Sequence, residues 1–140
     1  MKALIDFLGD WRVSRLIEDA SGAQTRFEGL ARLDGDAQAA VYEEKGQLQL
    51  ATGTALQAER RYHWRESGEG VQIFFEDNRF FHALPKDGSQ AEHFCDPDTY
   101  ALTYDFEDWP NWRVDWRVEG PKKSYTARTT YRRLPKRPQA

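Results

Sequence analysis

The chain has 140 residues, a length that supports one hydrophobic core and not a second. Its formal charge of −3, on 31% charged residues of both signs, gives no electrostatic reason to expect nucleic acid or a membrane surface as a partner. With one cysteine, no secretory apolar region and no run of about 18 apolar residues, the sequence predicts a cytoplasmic protein.

The N-terminal segment KALIDFLGD has the spacing of a short helix. Gly9 is placed to end this helix, and the apolar residues can share one of its faces: Ala3, Leu4, Phe7 and Leu8. We therefore expect the only helix within residues 1–9.

The middle of the chain predicts antiparallel strands joined by tight turns. In ERRYHWR, Tyr62 and Trp64 fall on one face of a strand, while the basic residues fall on the other. Glycine and Asp-Asn pairs carry the turn chemistry that hairpins need. Turns are accordingly expected at these positions: Asp34-Gly35, Lys45-Gly46, Gly68, Gly70 and Asp77-Asn78.

The last third of the chain predicts three long strands. The segments YALTYDF, WRVDWRVEG and SYTARTTYRR each place aromatic or apolar residues at every second position and polar residues between them. Aromatic residues make up 14% of the chain and follow this alternation. The pattern is typical of antiparallel strands with one buried and one solvated face.

The strand pattern predicts an all-β protein. We count about nine or ten strands at a spacing of roughly 8–12 residues, which is typical of sandwiches and barrels. Closure removes the exposed edges of a large open sheet, so we predict an antiparallel up-and-down β-barrel of about 8–10 strands with a short N-terminal helix. The whole chain, 1–140, forms one domain in this prediction, with the barrel in 10–134 and a flexible tail in 135–140.

The segment FLGDWRVSR resembles the opening of the lipocalin and fatty-acid-binding-protein superfamily, whose first strand begins with a Gly-x-Trp motif. Here that motif is Gly9, Asp10 and Trp11. The resemblance implies that a basic residue of the last strand packs over Trp11 and closes one end of the barrel, and Arg132 or Arg133 is placed to do so; we choose Arg132.

More narrowly, six segments are similar to an uncharacterised bacterial and fungal family of about this length: FLGDW, YEEKG, RYHW, FFEDNRFFH, HFCDPDTY and GPKKSY. This resemblance implies a calycin-like barrel with no established activity and no cofactor that can be assigned to a named residue.

One stretch, RFFHALPKDGSQAEHFCDPDTY, concentrates residue types that bind metals and ligands. Alternation places His82 on one strand face with Phe80 and Leu84, and Phe81 on the other face. Two orientations are open, with either the histidines or Phe81 and its counterpart Phe94 facing inward. We favour His82 inward, because its face is the more apolar side of the strand.

An inward face would bring His82 and His93 together across a hairpin, and with Cys95 they would suit a three-ligand zinc site backed by Asp96 or Asp98. The chain lacks the four closely spaced ligands of structural zinc sites and the His-Glu-x-x-His motif of catalytic ones. We therefore predict no metal ligand, no catalytic residue and no cofactor.

A general base is a separate possibility in VYEEKG. Alternation sends Glu43 and Glu44 to opposite faces, so only one of them can point into an apolar lumen, where burial would raise its pKa. A solvated strand edge is the simpler interpretation of this pair.

The tyrosines of the predicted inner face indicate a lumen with polar groups, because each buried phenol needs a hydrogen-bond partner. Such a lumen holds water or a ligand, whereas a tightly packed tyrosine core is the alternative. The predicted ligand-binding residues are His82, His93, Cys95, Tyr62, Tyr100, Tyr104, Tyr125 and Tyr131.

We therefore predict a barrel that binds a small amphipathic or aromatic molecule in its lumen, without nucleic-acid or membrane partners, as a monomer or weak homodimer. Two other functions are kept open. One is a metal- or haem-dependent enzyme that uses His82 or His93, and the other is an interaction protein that buries its WPNW turn against a partner.

Overall fold

A computed structural model describes residues 2–68, 70–84, 90–95 and 97–135, with the backbone alone at residues 90, 92, 94 and 95. The predicted tail lies outside these residues except for Pro135. The described elements are one helix, α1 (Leu4–Phe7), and ten strands: β1 (Gly9–Asp19), β2 (Gln24–Gly35), β3 (Ala39–Gln49), β4 (Ala55–Ser67), β5 (Gly70–Phe75), β6 (Phe80–Ala83), β7 (Gln90–Cys95), β8 (Asp98–Asp105), β9 (Trp112–Glu119) and β10 (Ser124–Arg133).

All ten strands belong to one antiparallel sheet with the order β6-β5-β4-β3-β2-β1-β10-β9-β8-β7. The sheet curls until its two end strands, β6 and β7, come within 8 Å of each other, although they are not hydrogen-bonded neighbours in the sheet. The prediction of an all-β antiparallel barrel with a short N-terminal helix is confirmed. Among the described residues, no helix is long and apolar enough to span a membrane.

The expected turn at Lys45-Gly46 is wrong, because β3 runs without interruption through both residues. Gly46 lies opposite Gly29 of β2, and a methyl group on Gly46 would stand 2.6 Å from the Gly29 Cα and 2.7 Å from the Phe27 ring. This glycine therefore permits close approach of two strands beneath a buried ring and does not mark a turn. The hairpin turn lies further on, where the Gly53 amide donates to the Leu50 carbonyl.

A β-bulge breaks the alternation in β6. Ile73 pairs with His82 and Phe74 with Phe80, which leaves Phe81 as an extra residue in the strand. As a result Phe81 and His82 are both buried, while Phe80 is 49% exposed. The expectation that His82 faces inward agrees with its burial, but the expectation that Phe81 then faces outward is wrong, because the bulge turns both side chains toward the core.

The helix and Trp11 close one end of the barrel, which we call the base. Trp11 is fully buried, and its indole nitrogen donates to the Phe7 carbonyl at 2.9 Å. The base also holds a cluster of rings in edge contact with Phe7: Trp64, Phe106, Trp109 and Trp112. The WPNW turn thus packs against the protein's own core through Trp109.

Arg133, and not Arg132, lies over Trp11. The guanidinium carbon of Arg133 is 4.0 Å from the centre of the Trp11 ring. The same side chain donates to the carbonyl of Leu8 at 2.6 Å and to the carbonyl of Asp6. Arg132 is exposed, because alternation along β10 sends it to the outer face.

Candidate functional site

The barrel interior holds a cavity of about 30 Å³ between the base and the opposite, open end, a volume that accommodates about two water molecules. Residues of eight strands line it, and many of them are polar or aromatic. The lining residues are Arg15, Tyr42, Glu44, Arg60, Tyr62, Trp64, Ile73, Phe81, His82, Tyr104, Trp112, Val114, Trp116 and Tyr131.

A buried ion pair forms the polar centre of this cavity. Arg15 binds Glu44 through two parallel hydrogen bonds of 2.8 Å, and its Nε donates to the Thr129 hydroxyl at 2.8 Å. Burial lowers the pKa of Arg15, but Glu44 raises it above its ordinary value. Burial likewise raises the pKa of Glu44, yet hydrogen bonds from Arg15 and Tyr42 hold it below its ordinary value. Both groups are therefore charged at neutral pH.

Two phenols extend the ion pair into a hydrogen-bonded chain. The Tyr42 hydroxyl donates to Glu44 Oε1 at 2.6 Å, because an ionised carboxylate only accepts. That bond uses the hydroxyl hydrogen of Tyr42, so Tyr131 is the donor in the 2.9 Å bond between the two phenols. Burial raises the pKa of Tyr131 to about 12 and holds the pKa of Tyr42 well above its ordinary value, so both stay neutral.

His82 occupies the β6 side of the cavity. Its Nε2 lies 2.6 Å from the Tyr104 hydroxyl, and its Nδ1 is buried without a hydrogen-bond partner among the described residues. Burial, with a smaller contribution from His93, lowers the pKa of His82 to about 3. The imidazole is thus neutral at pH 7.

Half-buried aromatic rings surround the open end of the barrel. The side chain of Arg60 is 35% exposed, and its guanidinium carbon lies 5.6 Å from the centre of the Trp116 ring. Rings from β4 and from three other strands stand around them: Tyr62, Phe75, His93 and Tyr100. An open groove of about 560 Å³ borders Arg60, Tyr62 and Phe75.

The structure separates the predicted ligand-binding residues into two groups. Four of them line the central cavity: Tyr62, His82, Tyr104 and Tyr131. Three others are half-buried nearer the open end: His93, Tyr100 and Tyr125. The side chain of Cys95 lies outside the part of the chain that the structure describes, as does the whole of Asp96.

His82 and His93 do not pair across a hairpin, because β6 pairs with β5 and β7 pairs with β8. The contact across the gap between β6 and β7 is made instead by Phe81, whose ring centre lies 5.3 Å from that of His93. Asp98 forms an ion pair with Lys123 at 3.4 Å. Within the described residues, no three His, Cys, Asp or Glu side chains are grouped so that they could hold a metal ion.

Sequence reasoning missed most of the charged centre. It preferred a solvated strand edge for Glu43 and Glu44, which is wrong for the buried Glu44. It did not consider Arg15, Arg60 or Thr129 as site residues. Alternation from Trp11 places Val13 and Arg15 on the same inner face, so a signal for Arg15 was present in the sequence. The ion pair between Arg15 and Glu44 could not be predicted from alternation, since the two residues are 29 positions apart in the chain.

Comparison with known proteins identifies a family and a fold. Residues 7–133 match the model of a protein family described as one of unknown function. No curated protein matches the chain. Among solved structures, an S-type phycobiliprotein lyase from Guillardia theta matches with a TM-score of 0.60 at 9% identity, over 96% of this chain and 92% of the lyase chain. A de novo designed fluorescence-activating β-barrel matches with a TM-score of 0.49 at 14% identity, over 96% and 99% of the two chains. The likeness to the lyase concerns the fold alone.

Proposed function

The chain belongs to the DUF6314 family of unknown function, and we propose that it binds a small amphipathic or aromatic molecule at the open end of its barrel. The observation that carries this proposal is the ring of half-buried aromatic side chains around Arg60 and Trp116. These rings pack against the core on one side and stay partly exposed on the other, so they offer apolar area to a ligand at low conformational cost.

The size of the central cavity limits how deeply such a ligand enters. A space of about 30 Å³ holds about two water molecules and no aromatic ring. The body of the ligand therefore lies between the rings of the open end and along the shallow surface groove beside Arg60, Tyr62 and Phe75. A cytoplasmic location is part of the proposal and rests on the single cysteine.

Fluorescence titration with N-phenyl-1-naphthylamine, an uncharged aromatic probe, tests this proposal. The wild-type protein should bind the probe, and Trp116→Leu should weaken binding by about fivefold, because a stacking ring contributes about 1 kcal/mol beyond its apolar area. Phe80→Leu is the matched control, since Phe80 is an exposed ring on the outer face. The proposal fails if the wild type does not bind the probe, or if both variants lose affinity equally.

A further inference from the structure

We infer that the ligand carries an anionic acceptor group, a carboxylate or sulfonate, that pairs with Arg60. This inference rests on the proposed function and names the chemical class of its ligand. It follows from the charges and hydrogen-bonding groups that the barrel's own residues leave unmatched around the cavity.

The charges that line the cavity sum to one positive charge. Among the described lining residues, Arg15 and Arg60 are cationic and Glu44 is the anion. Arg15 takes most of the carboxylate through two bonds of 2.8 Å, whereas Arg60 Nε lies 3.9 Å from Glu44 Oε2. The positive charge of Arg60 is therefore only partly balanced by the protein.

The neutral residues of the cavity do not supply the missing negative charge. Burial raises the pKa of Tyr131 to about 12 and that of Tyr104 well above its ordinary value, so the phenols are not phenolates at neutral pH. Burial also raises the pKa of Tyr62 above its ordinary value, although the nearby charge of Arg60 opposes this shift. An external anion is thus the group that would balance the charge of Arg60.

The cavity also contains buried hydrogen-bond donors that lack an acceptor. The indole nitrogens of Trp64 and Trp112 are buried without a partner among the described residues, and both rings line the cavity. An indole N–H only donates, so it requires an acceptor. The carboxylate oxygens of Glu44 already accept from Arg15 and Tyr42. Unmatched donors in the cavity that Arg60 also lines favour a water behind the ligand that accepts hydrogen bonds.

Two probes with the same aromatic skeleton separate charge recognition from aromatic binding. The first is 8-anilino-1-naphthalenesulfonate, and the second is N-phenyl-1-naphthylamine, which lacks the sulfonate. We expect the wild-type protein to bind the anionic probe about tenfold more tightly, the usual effect of one charge-assisted contact. Arg60→Gln should abolish this preference and leave the affinity for the neutral probe within about twofold.

Arg117→Gln is the matched control for the charge change. Arg117 follows Trp116 in β9 and is exposed on the outer face of the barrel. Its variant should keep the wild-type preference, whereas an equal loss in both variants would mean that general surface charge attracts the probe and would overturn the inference. Binding of the neutral probe without a preference that depends on Arg60 also overturns it and leaves the proposed function standing. Binding of neither probe overturns both.

Discussion

Two adjacent glutamates of β3 lie on opposite faces of the strand, one in solvent and one inside the barrel. Glu43 lies on the outer face, where it pairs with Arg61 at 2.7 Å and Lys45 at 3.0 Å. Glu44 is 1% exposed and shares its carboxylate with Arg15 inside the barrel. Exposed pairs contribute little to stability, whereas breaking a buried pair leaves an uncompensated charge.

We therefore predict that Glu44→Gln lowers the free energy of unfolding by about 3 kcal/mol, because Arg15 stays buried without a counter-charge. Glu43→Gln, one residue away, should leave the urea midpoint nearly unchanged. Equal effects of the two substitutions in urea titrations would contradict a charged barrel interior.

The destabilisation caused by Glu44→Gln should also depend on pH, and the pKa shift of Glu44 determines in which direction. Burial opposes ionisation of Glu44, but Arg15 and Tyr42 outweigh it and hold its pKa below the ordinary value of 4.5. The carboxylate's contribution is complete above pH 4.5 and is lost as the pH falls through the lower folded-state pKa. The difference in stability between the wild type and Glu44→Gln should therefore narrow in acid.

At the scale of elements, the bulge in β6 decides what fills the centre of the barrel. It turns two consecutive residues, Phe81 and His82, toward the core, where a regular strand would turn only one. Phe81 then packs against rings from both sides of the gap between β6 and β7. Its ring centre lies 4.6 Å from that of Phe75 and 5.3 Å from that of His93. Side-chain packing thus bridges two strands that are not hydrogen-bonded neighbours.

The bulge predicts unequal effects for two adjacent phenylalanines. Phe81→Ala should destabilise the protein by roughly 3–5 kcal/mol, the usual range for a buried aromatic residue. Phe80→Ala should cost less than about 1 kcal/mol, because Phe80 is 49% exposed. Guanidinium unfolding of both variants gives the comparison. A larger loss for Phe80→Ala would show that β6 follows simple alternation.

At the scale of the whole molecule, the two ends of the barrel have different compositions. The base is closed by α1 and packed with buried rings around Trp11 and Phe7. The open end has half-buried rings and a partly balanced arginine. This asymmetry fits the proposal that the base stabilises the barrel while the open end binds the ligand.

Closure of the base by Arg133 gives a prediction for two adjacent arginines. Arg133→Ala should lower the free energy of unfolding by about 1–3 kcal/mol, because the carbonyls of Asp6 and Leu8 lose their donor and Trp11 loses its covering group. Arg132→Ala should change the thermal midpoint little. The reverse order in thermal unfolding would identify Arg132 as the closing residue.

The sequence by itself determined the features that depend on local periodicity. Alternation marked the strands, put Tyr104 and Tyr131 on inner faces where both are buried, and left one short helix at the N-terminus. Alternation along β10 would also have identified Arg133, which shares the inner face with Tyr131, although our prediction chose Arg132. These features were predictable because the side-chain direction of a strand residue follows from its neighbours along the chain.

The tertiary structure alone decided the features that depend on residues far apart in the chain. Gly46 permits close approach to Gly29 instead of making a turn, and the bulge in β6 depends on the register with β5. Arg15 joins Glu44 and Thr129, which lie 29 and 114 positions away. Periodicity predicts which face of the sheet a side chain occupies. Strand pairing and the curl of the sheet determine which side chains meet on that face, and the sequence of one strand does not specify its register with the neighbouring strands.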